Sequence, residues 1–195
     1  MKRAFVVFVL LLAATTARAE GLDINLSDQA LRGTFSGSLT NLFPRLSGLY
    51  EVGLLLGEED SRNFQQLHGG LLVTGDAGAE RANVTAGLGG RIAVINGDDA
   101  TGGDLAGGAL ALGGMIEARL PAFNRIGAIA YAYGAPKASA FGDLEGYLEY
   151  AVGVDYQVLR AASLYLGYRQ LKVDVKDLGD SSVDNGWHLG VRLTF

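Results

Sequence analysis

The sequence predicts an all-β protein, a transmembrane antiparallel up-and-down β-barrel, and three observations support this prediction. Segments of about ten residues alternate apolar and polar side chains along most of the chain. The first 19 residues have the composition of an export signal, and the chain stops at Phe195 on an apolar strand face. Because alternate side chains of a strand point to opposite faces, each segment has one face suited to lipid and one suited to a lumen.

The amino terminus has the three parts of a Sec signal peptide. Lys2 and Arg3 form a short positive region, residues 4–14 are an unbroken apolar run, and small residues, Ala17 and Ala19, stand where a signal peptidase reads. The run is shorter than the about 20 apolar residues that a transmembrane helix needs. We therefore expect residues 1–19 to be a signal peptide and residues 20–195 to form one outer-membrane β-barrel domain.

Composition is consistent with an exported barrel. The chain has 29 glycines, three prolines, no cysteine and a formal net charge of −5. An exported domain without cysteine needs stability from another source, and a closed barrel supplies it because its backbone hydrogen bonds are made between strands. No basic stripe indicates nucleic acid as a partner. The expected partners are the lipid bilayer of the outer membrane and the barrel assembly machinery during biogenesis, and we expect a monomer.

Ten segments carry the strand pattern in chain order. They are residues 22–27, 31–36, 47–56, 64–74, 84–94, 107–120, 126–133, 144–157, 161–175 and 186–195. The first two read as a hairpin through a tight turn at residues 27–30. One bent strand there would give nine, whereas bacterial single-chain barrels have an even number. We expect about ten strands, with eight as the alternative if a further segment lies outside the wall.

The links between strands predict an orientation. Polar or charged links at residues 57–62, 96–104, 134–143 and 176–184 alternate with short links at 121–123 and 159–161. Barrels of this class have short periplasmic turns, longer outside loops and both termini in the periplasm. The polar links are therefore expected outside. Links 75–82 and 38–46 are long for periplasmic turns, and we expect the second to form a small plug or cap.

The last strand has a one-sided apolar pattern. Its side chains on one parity resemble the C-terminal signal that the bacterial outer-membrane assembly machinery reads: Trp187, Leu189, Val191, Leu193 and Phe195. The aromatic residues on outward parities also fit interfacial girdles, where rings have one wet and one apolar edge. The pattern predicts a membrane assembly signal and location in the outer membrane of a Gram-negative cell.

Charged residues collect on the opposite, inward parity. The predicted lumen charge network comprises Glu51, Arg91, Glu117, Arg119, Glu149, Arg169 and Arg192. On the lipid face at the midplane, Arg or Lys would cost about 2–4 kcal/mol, so these side chains are expected to point inward. Opposite charges would offset one another's desolvation, and we expect Glu149 to pair with Arg169 in a ladder that continues to Arg192. The network either fills the barrel or lines a narrow water path or small-solute site.

Residues for catalysis or metal binding are sparse. There is no cysteine, His68 and His188 lie far apart with no metal-ligand spacing, and Ser163 has no motif around it. We expect no catalytic residues, no metal and no cofactor. The predicted function is an integral outer-membrane barrel, either a narrow passive pore for ions or small solutes or a non-conducting structural or surface-binding barrel. An outer-membrane enzyme is the distant alternative.

The start of the expected mature chain resembles a known family. The segment Gly-Leu-Asp-Ile-Asn-Leu-Ser-Asp-Gln-Ala-Leu-Arg-Gly, residues 21–33, is similar to the opening of the YfaZ family of proteobacterial outer-membrane proteins. The similarity extends more loosely to residues 164–169 and to the terminal strand. The resemblance implies an outer-membrane location and supplies no activity or catalytic residues.

Overall fold

The structure is a computed structural model that describes residues 21–41, 43–59, 62–78, 83–98 and 103–195. The expected signal peptide, residues 1–19, lies outside the described residues. In the described ranges no helix is both long enough and apolar enough to cross a membrane.

Ten long strands and one short strand make up the described wall. Their bounds are β1 Gly21–Ser27, β2 Ala30–Ser38, β3 Gly48–Glu59, β4 Arg62–Asp76, β5 Asn83–Asp98, β6 Asp104–Arg119, β7 Ile126–Ala135, β8 Ala140–Gly142, β9 Leu144–Leu159, β10 Ala162–Val175 and β11 Gly179–Thr194. Single turns of 3-10 helix occupy Leu39–Asn41, Pro121–Phe123 and Lys137–Ser139.

The sheet closes on itself through its first and last strands. β1 pairs antiparallel with β11, from Gly21 opposite Thr194 to Ser27 opposite His188. Every long strand pairs with its neighbours in chain order, and the short β8 lies in the β7–β9 connection and pairs with β6. The predicted antiparallel barrel of about ten strands is therefore confirmed.

The first two strands are a true hairpin because of the turn between them. The Ser27 hydroxyl accepts hydrogen bonds from the backbone N–H of Gln29 at 3.3 Å and of Ala30 at 2.9 Å. A serine that holds the next backbone amides in this way fixes a tight turn. The pairing of Leu26 with Leu31 then begins the returning strand.

The strands extend into the predicted polar loops. β3 ends at Glu59 and β4 begins at Arg62, while β10 ends at Val175 and β11 begins at Gly179, inside the predicted loop 176–184. Residues 177 and 179 have φ of 64° and 77°, a left-handed conformation that Asp and Gly adopt more readily than most residues. Strands of 14–16 residues exceed the about 9–11 needed to cross a bilayer. Many of the residues that were predicted as loops therefore belong to strands, in hairpins that extend past the bilayer.

The long link between β2 and β3 does not form the predicted plug. Leu39 is buried, but residues 43–47 are exposed, so these five residues do not fill the lumen.

The outer surface of the wall is apolar. Leu88 and Leu112 are 76% and 73% exposed, and the exposed apolar side chains continue around the other long strands. A soluble protein rarely exposes so continuous an apolar surface, whereas a membrane barrel requires it. The main buried apolar cluster lies inside the wall. The protein is a barrel with the surface of a membrane-embedded one.

Candidate functional site in the barrel lumen

The lumen has two distinct ends. We call the end that contains Gly21 and Thr194 the terminal end, and the end with the β1–β2 and β10–β11 turns the distal end. From the terminal to the distal end, the inward side chains change from half-exposed polar groups to buried charges and then to buried apolar groups.

Glu149 on β9 is the centre of the buried charges, and its side chain is 0% exposed. Arg32 Nη1 donates to its Oε1 at 2.5 Å, and Arg91 Nη1 donates to its Oε2 at 2.7 Å. The hydroxyls of Tyr131, at 2.9 Å, and Tyr147 also donate to this carboxylate. We call these five residues the Glu149 cluster. Two guanidinium groups and two phenols thus compensate one carboxylate that water does not reach.

The two arginines of the cluster have further partners. Arg91 donates from Nε at 2.9 Å and from Nη2 at 2.6 Å to Glu51 Oε1, and its guanidinium lies 3.9 Å from the centre of the Tyr133 ring. Arg32 Nη2 lies 3.1 Å from His68 Nε2. Because arginine only donates, this His68 nitrogen must accept, which places the proton of a neutral ring on Nδ1.

Arg169 belongs to a separate pair. Its Nε donates to Asp184 at 2.5 Å and its Nη1 donates to Asn25 at 3.0 Å. The predicted pairing of Arg169 with Glu149 is wrong, because the β9–β10 register places Arg169 opposite Ala151 and Glu149 opposite Leu171. The expected continuation to Arg192 is wrong as well.

The remaining predicted charges lie near the terminal end. Arg119 Nη2 donates to Asp155 at 2.8 Å and lies 3.8 Å from Glu117. Arg192 Nε donates to Asp23 at 3.3 Å, and the Tyr165 hydroxyl donates to the same carboxylate at 2.5 Å. The seven predicted residues therefore do not form one ladder but fall into four sets with different partners.

The distal half of the lumen is filled mainly by apolar side chains, with the buried Gln66 and Asp184 among them. Leu55, Ile95 and Leu171 lie on the distal side of Glu51, Arg91 and Arg169 on the same strands, and all three are 0% exposed. We call the following buried residues the distal layer: Leu55, Ile95, Ala109, Ala111, Leu171 and Val173. Side chains along a water-filled channel would keep accessible surface. In the described conformation, the distal layer and the Glu149 cluster therefore close the lumen.

A cavity of about 250 Å³ occupies the terminal half of the lumen. The Glu149 cluster forms its inner boundary through Arg32, Arg91 and Tyr131. Its polar wall includes Thr34 and Arg192, and its apolar wall includes Met115, Ile129 and Ala151. Since Arg192 is 31% exposed, solvent reaches the cavity from this end.

Comparison with known proteins places the chain in a family. The solved structures that resemble it include the NanC porin in a rhombohedral crystal form, with a TM-score of 0.43 and 9% identity over 91% of this chain and 100% of that chain. Another, from work on the in-meso crystallization of membrane proteins, has a TM-score of 0.39 and 14% identity over 91% of this chain and 83% of that chain. No match was found among curated protein sequences. A family model described as YfaZ precursor matches residues 1–195. The chain belongs to the YfaZ family.

In this YfaZ-family barrel, the residues of the expected assembly signal lie on the outer face of β11. Trp187 and Leu189 are each 66% exposed and Phe195 is 70% exposed, whereas His188 and Gly190 between them are buried. Val191 and Leu193 continue the same face. The strand therefore presents its apolar parity to the membrane and its polar parity to the lumen.

Sequence reasoning missed several residues of the lumen. Arg32 alternates with Thr34 and Ser36 along β2, and this polar parity was the signal that could have placed it inward. Asp184 was assigned to a loop, so its pairing with Arg169 was not anticipated. The inward tyrosines had no distinguishing pattern in the sequence.

The described residues that the sequence offered for catalysis or metal binding lie apart. In those ranges, no group of three or more His, Asp or Glu side chains is arranged to hold a metal ion. Ser163 lies opposite Arg192 and His188 lies opposite Gly167, so the register does not place this serine beside this histidine.

Proposed function

We propose that this YfaZ-family protein is an outer-membrane β-barrel that does not conduct solutes at rest and that binds a small solute in its terminal-end cavity. The observation that carries the proposal is the closed lumen, in which Glu149 and the distal layer have essentially no accessible surface. A solute entering from the terminal end meets five hydrogen-bonded side chains and then a buried, mainly apolar layer. Passive flow would require both to move.

The proposed orientation places the terminal end in the periplasm. It follows the rule that both termini of a bacterial barrel lie on that side. The distal hairpins, which extend beyond bilayer-crossing length, would then project outside the cell. The proposed partners are the lipids of the outer membrane and the assembly machinery that reads the last strand, and the proposed state is a monomer without a catalytic role.

A narrow passive pore is the second candidate. It is favoured by the terminal cavity, whose charged and hydroxyl-bearing walls reach halfway along the lumen. Such a pore would need a gate, and the distal layer and the Glu149 cluster are the parts of the lumen that would have to move.

Solute flux distinguishes the two candidates. Folded protein in lipid vesicles is expected to give no swelling in glycine or a monosaccharide, beyond that of protein-free vesicles. The combined Leu55→Ala, Ile95→Ala and Leu171→Ala changes empty the distal layer, and with Arg32→Ala, which shortens a side chain of the Glu149 cluster, they are expected to raise permeation. The matched control, Leu67→Ala, removes an exposed side chain of the apolar outer surface and should give no vesicle swelling.

Fractionation of cells tests the proposed location. In cells, the protein should fractionate with outer membranes and show a mobility shift on heating in a denaturing gel. Swelling by the unaltered protein, at a rate that depends on solute size, would instead establish the pore. Recovery from the soluble periplasm would overturn the membrane assignment.

A further inference from the structure

Two opposite charges face each other across the terminal cavity. Arg192 lies on β11 and Glu117 lies on β6, and both line the cavity. In the closed order of ten long strands, β6 and β11 are four strands apart through β9 and six apart through β1, so they lie on nearly opposite sides of the wall. The two side chains form no ion pair within 4.0 Å in the described part of the chain.

The guanidinium of Arg192 has donors to spare. Its Nε donates to Asp23 Oδ2 at 3.3 Å, while Nη1 and Nη2 have no protein partner among the described residues. The Tyr165 ring lies 5.5 Å from this guanidinium and holds it against the β10 wall. Two N–H groups in a fork match the geometry of a carboxylate or phosphate.

The carboxylate of Glu117 is equally available. Its nearest cation is Arg119 Nη2 at 3.8 Å, which is beyond hydrogen-bond distance, and that nitrogen donates to Asp155 at 2.8 Å instead. The Glu117 side chain is 35% exposed. An ammonium group in the cavity would therefore find an acceptor that no protein donor occupies.

The deeper charges do not select for a solute of one sign. Glu149 is matched by Arg32 and Arg91, so the inner boundary of the cavity is already compensated by hydrogen-bonded ion pairs. At the mouth, Arg192 and Glu117 keep hydrogen-bonding capacity beyond their ion pairs with Asp23 and Arg119. A ligand that carries both charges satisfies both walls, whereas an anion or a cation alone satisfies one.

The size and lining of the cavity limit the ligand further. A volume of about 250 Å³ lies just below the range of about 300–1,000 Å³ that is usual for drug-sized ligands. Between the charged walls, Met115 and Ile129 offer an apolar surface and Thr34 and Ser36 offer hydroxyls. These features suit a compact molecule with a short aliphatic part.

We propose that the terminal cavity binds a small zwitterion, with its carboxylate or phosphate on Arg192 and its ammonium on Glu117. A free amino acid and a phosphoethanolamine headgroup share this chemistry. The inference deepens the proposed function, because it names the solute class of the same cavity. It does not depend on whether the barrel conducts.

Binding is tested by titrating the purified, detergent-folded barrel with alanine, leucine and O-phosphoethanolamine in a calorimeter. N-acetylalanine retains only the carboxylate, and alanine amide retains only the ammonium. The zwitterions are expected to bind saturably, and each blocked analogue is expected to bind at least tenfold more weakly. Tighter binding of the amino acids indicates a free amino acid as the ligand, whereas tighter binding of O-phosphoethanolamine indicates a lipid headgroup.

Single variants test the two contacts. Arg192→Gln and Glu117→Gln are each expected to weaken zwitterion binding at least tenfold, with controls in which exposed charges outside the cavity are removed, Arg125→Gln and Glu58→Gln. A heat-dependent gel shift verifies that each variant is folded. If a variant fails to fold, the analogue series on the unaltered protein still decides.

Two outcomes overturn the inference: equal binding of zwitterion and N-acetylalanine, which indicates a simple anion site, or no binding of any probe at millimolar concentration. Vesicle permeation with saturable zwitterion binding would refute only the closed-barrel proposal. Silent vesicles without binding would refute only the zwitterion site.

Discussion

Replacing Glu149 by glutamine removes the negative charge to which the arginines and tyrosines of the Glu149 cluster donate their hydrogen bonds. Removing one partner of a buried ion pair leaves the other charge uncompensated, which costs about 3–5 kcal/mol. Glu149 is 0% exposed and its two arginine partners are almost fully buried, so water cannot replace the lost carboxylate as a partner of the arginines. We expect the Glu149→Gln barrel to lose about 3–5 kcal/mol of its free energy of unfolding.

The cost falls unequally on the two arginines. Arg91 keeps two hydrogen bonds to Glu51, at 2.9 and 2.6 Å, whereas Arg32 loses its only carboxylate partner among the described residues. The double variant Glu149→Gln/Arg32→Gln should therefore lose far less unfolding free energy than the sum of the losses in the two single variants. Arg169→Gln should add its effect more nearly independently, because Arg169 pairs with Asp184.

Trp187 provides the assay. It is the single tryptophan of the chain and is 66% exposed on the membrane face, so its emission reports the loss of the lipid-embedded wall. Urea unfolding in lipid vesicles, followed by this emission, gives the midpoint and slope for each variant. The matched control is Glu145→Gln, whose pair with Lys137 is largely exposed and is worth less than about 1 kcal/mol.

The reasoning would be refuted by either of two results. One is a Glu149→Gln barrel as stable as the Glu145→Gln control. The other is full additivity of Glu149→Gln with Arg32→Gln alongside strong coupling to Arg169→Gln, which would restore the pairing expected from sequence.

Three further predictions concern the wall. Gly113→Ala should destabilise the barrel by about 1–3 kcal/mol in the same urea assay, because its Cβ would lie 2.1 Å from a backbone oxygen, whereas Gly75→Ala has nothing within 4 Å and should be nearly neutral. Leu112→Arg should cost about 2–4 kcal/mol, since the residue is exposed near the middle of a membrane strand; equal stability would place that strand outside lipid. Phe195→Asp should reduce the heat-shifted, membrane-inserted fraction in cells without reducing export, and unchanged assembly would remove the role of the terminal aromatic.

Sequence alone was sufficient for the wall, because alternation is a local property. The parity of Trp187, Leu189 and Val191 along β11 is set by neighbouring residues, and the structure shows the same faces. The tight turn at Ser27 was also readable, since its hydroxyl accepts from the backbone amides two and three residues further along the chain. Loop lengths were less accessible, because polar residues that look like loops also form hairpins beyond the bilayer.

The partners inside the lumen were not predictable. Glu149 on β9 meets Arg32 on β2 and Arg91 on β5, strands that are not its neighbours, because the barrel is narrow enough for long side chains to cross it. Such contacts depend on strand stagger and on how far each side chain reaches. Neither the stagger nor the reach can be read from sequence separation or strand adjacency. For this reason the predicted Glu149–Arg169 pair was wrong.

The most direct test of the closed lumen is single-channel recording of the folded protein in a planar lipid bilayer. Insertion is verified independently by the heat-shifted band and by the emission of Trp187 in lipid. The account predicts a silent bilayer for the unaltered protein and discrete current steps once the distal layer and the Glu149 cluster are both opened, by alanine at positions 55, 95 and 171 together with Arg32→Ala. Steady open-channel steps from the unaltered protein, at low voltage and without added ligand, would contradict it.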